Sequence, residues 1–233
     1  MFGIRKKSLL DSRALSGAAD RHSHLLYGVD DGVKTLEESL SILEYEASAG
    51  IETVWCTPHI MEDIPNSTSD LHDRFEDLRN CYDGPVRICL AAEYMLDTLF
   101  EERLSAHDLL TMEDDILLVE ASVISPPYDF KGILARIMSE GYRPMLAHPE
   151  RYRYMTERDY EGFKEMGVRF QLNVGSVCGF YGRTTADKAK GLLKHGFYDA
   201  LGTDCHCYEN IRRQFEEILL DETVRSMMMD IRY

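Results

Sequence analysis

The sequence has no uninterrupted apolar run approaching the roughly 20 residues a membrane-spanning helix requires, and its start, MFGIRKKSLLDSRALSGAAD, lacks the apolar stretch of a secretory leader. Membrane insertion is not expected. Positive charge is also scarce: 26 Lys and Arg stand against 41 Asp and Glu, a formal net charge of −15. That balance opposes the phosphate-backbone attraction on which nucleic-acid binding depends, so nucleic acid is a disfavoured partner. The six cysteines, at 56, 81, 89, 178, 205 and 207, show no disulfide-scaffold spacing, and most lie in apolar stretches where a reduced thiol packs as a small hydrophobe. A reducing, cytoplasmic compartment is the expectation.

What is present suits one large domain: 233 residues, 44% hydrophobic and 29% charged, are enough for a substantial core. Residues 1–18 read as an extension, poorly structured or peripherally packed, ahead of a domain spanning 19–233. From there short β-rich runs alternate with helical patterns. The runs are ADRHSH (19–24), ETVWCTP (52–58), VRICLAAE (86–93), ILLVEA (116–121), PMLAH (144–148), VRFQLNV (168–174) and DALGTD (199–204). Helical patterns fall near 35–49, 67–82, 97–105, 129–141, 157–166 and 184–195, with a final stretch over about 208–229. Several end at a glycine just before the next strand, as Met166-Gly167 does. Seven β-α units fit either a doubly wound sheet or a closed barrel, and periodicity alone does not choose.

The stretch DRHSHLLYGVDDG (20–32) supplies the first chemical clue. In a strand, residues i and i+2 face the same way, so His22 and His24 deliver two imidazoles to one point, although the Asp-Gly that follows is also ordinary turn chemistry. Similar side chains end almost every other predicted strand: His59, Glu93, Glu120, His148, Asp204 and His206, with Asp31 in the first loop. A closed parallel barrel gathers strand ends around one mouth, whereas an open sheet spreads them at about 4.8 Å per strand. The barrel is therefore favoured. Each of these residues has an ordinary alternative, such as a loop histidine or a salt-bridge partner. Glu93 and Glu120, however, end apolar runs where an unpaired carboxylate bears a burial penalty of roughly several kcal/mol that a cation would relieve. Mixed imidazole and carboxylate donors with little thiolate point to Mn²⁺, Fe or Zn²⁺, and nine candidates suffice for two or three ions, an arrangement suited to phosphoester hydrolysis.

Taken with TPH (57–59), AAEY (91–94), LVEAS (118–122), AHPERY (147–152), QLNVGS (171–176) and GTDCH (202–206), that stretch resembles the polymerase-and-histidinol-phosphatase (PHP) superfamily. Within it the chain is most similar to manganese-dependent bacterial protein-tyrosine phosphatases of capsule and exopolysaccharide loci. The resemblance implies a distorted (β/α)7 TIM-like barrel, a single α/β domain with a trinuclear Mn²⁺ centre. It places His22, His24, Glu93 and Asp204 around one ion, Glu93, Glu120 and His148 around a second, and Asp31, His59 and His206 around a third. It further implies that Arg151 binds the substrate phosphate, that a metal-bridging hydroxide attacks phosphorus, and that the substrate is the tyrosine-phosphorylated tail of a bacterial autokinase controlling polysaccharide export. Arg21 departs from the usual apolar residue inside the D-x-H-x-H motif, and both Arg212 and Arg213 match a further family arginine. Loop aromatics Tyr27, Tyr128, Tyr152, Phe180 and Tyr181 are candidates to pack on a phosphotyrosine ring.

A rival lies in the same chain. His206 to Arg213 fits H-C-x5-R and resembles the phosphate loop of cysteine-dependent tyrosine phosphatases, but it lacks glycine, carries Glu209 where phosphate would sit, and has Gln214 in place of Ser or Thr. That mechanism also leaves the other acids and histidines unexplained. A PHP phosphodiesterase or exonuclease, a histidinol-phosphatase-like small-molecule phosphatase and a non-catalytic metal-stabilised interaction domain are the remaining alternatives. Oligomeric state is left open by the sequence.

Overall fold

The computed structural model describes residues 7–217 and 219–231. In chain order it contains β1 (Lys7–Ser8), α1 (Leu9–Ser12), β2 (Ala19–Ser23), α2 (Leu36–Ser48), β3 (Thr53–Cys56), β4 (His59–Ile60), α3 (Thr68–Cys81), β5 (Arg87–Leu90), β6 (Glu93–Met95) and α4 (Thr98–Ala106). There follow β7 (Ile116–Glu120), α5 (Phe130–Ser139), β8 (Arg143–Ala147), α6 (Glu157–Met166), β9 (Arg169–Asn173), α7 (Arg183–Lys194), β10 (Ala200–Gly202), α8 (Tyr208–Glu216), β11 (Leu219–Leu220) and α9 (Glu222–Met229). Among the described residues no helix is long and apolar enough to cross a membrane.

The result is a mixed α/β fold whose strands form a parallel half-barrel. Six strands pair in the order β10-β9-β8-β7-β6-β4, and three more in the order β2-β3-β5. The chain bends at the ends of two predicted strands, 52–58 and 86–93, and passes from one sheet to the other: β3 leads into β4 through Thr57-Pro58, and β5 into β6 through Ala91-Ala92. At the other side, Ser23 bridges Cys205 in parallel, His24 N donates to Cys205 O and Asp204 N donates to His22 O.

Alternation along the strands decides which side chains face inward. Ile116 and Leu118 of β7, Met145 and Ala147 of β8, Ala200 of β10 and Trp55 of β3 form a small core enclosed by the strands, while Leu117, Val119, Leu146, Phe170 and Leu172 pack into the larger core against the helices. Glu120 continues the inward parity of β7, and Gln171 and Asn173, both fully buried, continue that of β9. Gly202 is required where β10 approaches them: a Cβ there would lie 2.5 Å from both Gln171 Nε2 and the Cβ of His22.

The helices obey local signals. Thr35, Ser67, Asp97 and Asp221 cap α2, α3, α4 and α9 through side-chain oxygens that accept N–H groups of the first turn. Gly167, at φ 93°, closes α6 in the left-handed conformation that favours glycine. The continuous helix expected over 208–229 is interrupted: β11 pairs antiparallel with β1, and the Asp221 cap starts α9 afresh. The expectation for residues 1–6 lies outside the described residues. Residues 7–18 fold along the domain, with Leu9, Ala14 and Leu15 buried in the main core.

Candidate metal centre

The inward parity and the β-α loops bring the nine residues singled out in the sequence together: Glu120 ends β7, His148 and Asp204 follow β8 and β10, and His59 and Glu93 open β4 and β6 just past the bends that end β3 and β5. Glu93 is the hub. Its Oε2 lies 3.1 Å from His22 Nε2, 3.3 Å from His24 Nε2 and 3.2 Å from His59 Nδ1, and its Oε1 lies 3.2 Å from His148 Nε2. Glu120 approaches His59 Nδ1 at 3.3 Å and His148 Nε2 at 3.7 Å. Asp204 Oδ1 stands 3.5–3.6 Å from His22, His24 and His206, and Asp31 Oδ1 lies 3.7 Å from His59 and 3.5 Å from His206.

Donor atoms fall into three compact groups: His24, Asp31, His59 and His206; His22, His24 and Glu93; and His59, Glu93 and Glu120. The groups share members more than the resemblance implies, with His24 and His59 each belonging to two. His148 and Asp204 border them through the contacts above.

The tautomers show why this donor set fits cations. His22 Nδ1 lies 2.9 Å from Gln171 Oε1, and His24 Nδ1 lies 2.7 Å from Asp30 Oδ2. Both partners are acceptors, so each Nδ1 carries the proton and each Nε2 presents a lone pair. Those two Nε2 atoms are 3.2 Å apart and face the Glu93 and Asp204 carboxylates. Lone pairs and anions aimed at one point repel unless positive charge sits between them. His59 Nδ1 is likewise buried without a hydrogen-bond partner, on the side facing Glu93 and Glu120.

Without metal, protons must balance the charge. Burial alone would strip His22 of its proton, yet Glu93 and Asp204 push it up to about 9, and Asp204, Asp30 and Glu93 likewise raise His24. Burial disfavours charge on Glu93 too, but His22 and His59 hold it well below the ordinary range; on Glu120 burial wins, helped by Glu93 and Asp204. Burial and the neighbouring Arg151 push His148 down to about 4. Metal ions compete with these protons for the same lone pairs. None of the three donor groups contains a thiolate, which suits Mn²⁺, Fe or Zn²⁺.

Backbone conformation contributes as well. His148 and Asp204 both adopt left-handed φ, 34° and 53°, conformations that a non-glycine residue holds at a cost of about 1–3 kcal/mol. Asp204 divides its oxygens: Oδ1 faces the histidines, while Oδ2 accepts from Arg151 Nη1 at 2.8 Å and Asn173 Nδ2 at 2.9 Å.

Three supporting residues were not among the sequence candidates. Asp30 accepts from His24 Nδ1, His59 N and Gly32 N, and Gln171 Oε1 accepts from His22 Nδ1 and His148 N. Asn173 holds Asp204. Gln171 and Asn173 carried a signal: two polar residues at i and i+2 on the inward face of a strand. Asp30→Asn is expected to weaken metal retention by about 10- to 100-fold, because an amide can turn a donor toward His24 Nδ1 and reverse the tautomer; metal titration of the purified variant checks this.

Other expected participants scatter. Tyr152 is fully buried, accepting nothing from the mouth: its hydroxyl bonds Ala121 N and Ala147 O. Tyr128 is 98% exposed, and Tyr27 lies under Arg74. Arg21 ion-pairs with Glu113 at 3.0 Å. Arg212 is engaged by Glu209, Glu216 and Glu217, whereas Arg213 lies over Phe180 at 5.4 Å.

Residues 18–223 match the family described as Capsular polysaccharide synthesis, CpsB/CapC. The chain belongs to the CpsB/CapC family. The tyrosine-protein phosphatase CpsB of Streptococcus agalactiae serotype V is 32% identical over 174 residues, covering 68% of this chain and 68% of the relative. The tyrosine-protein phosphatase YwqE of Bacillus subtilis is 24% identical over 194 residues, covering 80% and 76%. In fold, this CpsB/CapC chain superposes with TM-score 0.77 and 23% identity, over 82% of its length and 81% of the other chain, on a solved structure from work on YwqE of Bacillus subtilis and CpsB of Streptococcus pneumoniae, described as unique metal-dependent tyrosine phosphatases.

Proposed function

We propose that this protein is a metal-dependent protein-tyrosine phosphatase that hydrolyses phosphotyrosine on a bacterial tyrosine kinase tail regulating capsular or exopolysaccharide synthesis. The observation that carries the reading is the convergence of five histidines and four carboxylates, His22, His24, Asp31, His59, Glu93, Glu120, His148, Asp204 and His206, at one mouth in a CpsB/CapC chain. We read the two sheets as one distorted (β/α)7 barrel closed by the Ser23–Cys205 bridge, the nine residues as ligands to two or three ions, and Mn²⁺ as the native metal, working in the cytoplasm.

Divalent cations there supply positive charge for the phosphoryl oxygens and make water nucleophilic at neutral pH. The chain's own residues bind and orient. Asp30 and Gln171 hold His24 and His22 in the tautomers that present Nε2. Arg151 commits Nη1 to Asp204, and its side chain remains 28% exposed, leaving the rest of a planar, permanently charged fork for phosphate oxygens. The acidic surface is no obstacle, because bound cations make the cleft locally positive.

Cysteine chemistry is disfavoured by the same structure. The Glu209 carboxylate of the H-C-x5-R stretch remains in place, ion-paired with Arg212, and the arginine of that stretch, Arg213, lies over Phe180. Hydrolysis of a phosphotyrosine peptide is expected to stop with chelator, return with added Mn²⁺ and survive Cys207→Ser. Chelator-resistant turnover that Cys207→Ser abolishes would reverse the mechanism, and preference for a small phosphate ester over the peptide would reassign the substrate.

A further inference from the structure

The arginine that faces the mouth does not stand alone. After β9 the chain makes a tight turn, Ser176–Cys178, and returns with Phe180 N donating to Gly175 O and Gly182 N to Gly179 O. That turn delivers Phe180 and Tyr181 as an edge-on pair with ring centroids 5.1 Å apart. The Arg151 guanidinium lies over the Tyr181 ring at 4.7 Å. The Tyr181 hydroxyl meanwhile accepts from Asn173 Nδ2 at 3.2 Å and lies 3.5 Å from Asp204 Oδ2, the oxygen that already holds Arg151 Nη1 and Asn173 Nδ2.

We propose that Tyr181 is a positioning residue for Arg151: its ring carries the guanidinium face and holds the phosphate-binding fork in register with the metal ligands, with the hydroxyl contacts to Asn173 and Asp204 secondary. The inference rests on the reading that Arg151 binds phosphate. A long arginine side chain loses considerable rotamer freedom when it binds an anion, and a fork already seated on a ring and tied at one nitrogen has less to lose. A cation over an aromatic face contributes enough to change an equilibrium by about tenfold. Phe180 packs edge-on against the Tyr181 ring and itself lies under Arg213.

The test is a double-mutant cycle on the metal-loaded protein, reading calorimetric binding of inorganic phosphate, kcat/KM on a phosphotyrosine peptide, and metal content. Tyr181→Leu is expected to weaken phosphate binding and lower kcat/KM by about tenfold with metal content unchanged. Tyr181→Phe, which keeps the ring and is the milder change for folding, is expected to stay within about threefold of the parent. In an Arg151→Ala background Tyr181→Leu is expected to add nothing. The proposal is overturned if Tyr181→Leu costs as much without Arg151 as with it, if Tyr181→Phe loses as much as Tyr181→Leu, or if metal content falls while phosphate affinity holds. Should Arg151→Ala leave phosphate binding intact, the arginine reading itself fails and Tyr181 has nothing to position.

Discussion

Glu93→Ala is expected to lower kcat/KM on a phosphotyrosine peptide by on the order of 1,000-fold or more, with metal lost from the purified protein. No other carboxylate in the centre has its reach: one side chain, 1% exposed, lies within 3.3 Å of ring nitrogens on His22, His24, His59 and His148. Removing it takes a negative charge from the point where the imidazole lone pairs meet, so the affinity for divalent ions falls with it. The measurement is steady-state kinetics beside metal analysis of the same preparation. Retention of a tenth of the activity with full metal content would remove Glu93 from its central place.

The second large effect concerns stability. Glu46, on the inward face of α2, is fully buried, and neither carboxylate oxygen has a hydrogen-bond partner with good geometry. Its charged form is opposed first by burial and then by Asp20 beside it. Asp20 is the better anion of the two, since it accepts from His22 N, Thr203 N and Thr203 Oγ1, so Glu46 keeps the proton. The sign follows from linkage. The unfolded chain releases that proton near the ordinary glutamate value, whereas the folded chain holds it to a raised pKa. The contribution of Glu46 is therefore fully present at acid pH and is lost as pH rises from about 4.3 through the folded value, at about 1.4 kcal/mol per unit. Glu46→Gln, neutral at every pH and able to donate to Asp20, is expected to flatten that slope and to stabilise the protein by about 1–3 kcal/mol at pH 8, with the advantage vanishing near pH 4. Denaturant titrations at both values decide it; equal stability changes at the two would mean that Glu46 is ionised in the fold.

How far the sequence was legible follows from the range of the forces involved. The seven strand regions and the helices from Leu36 to Lys194 are set by local signals, namely alternation, caps such as Asp97 and stops such as Gly167, and these are visible along the chain. The short pairing of Lys7–Ser8 with Leu219–Leu220 joins segments more than 200 residues apart, with only two residues on each side, and no local pattern announces it. The same distinction runs through the centre. His22, Glu93 and Asp204 mark themselves by type and by position at strand ends. Asp30 became distinguishable from Asp31 only when the turn placed it against His24, and Glu46 reads as one more glutamate of a Glu-rich helix until α2 docks it on Asp20. Tyr152 and Tyr181, alike as loop aromatics in the sequence, part company for a similar reason: the first turns into the core to join Ala121 and Ala147, and the second stays beside Arg151.

The divided carboxylate of Asp204 has a thermodynamic consequence. One oxygen faces the histidines and the other restrains Arg151, so in the proposed reading metal binding and phosphate binding draw on a single anion. Whatever factor bound metal imposes on phosphate affinity, phosphate must return to metal affinity in full.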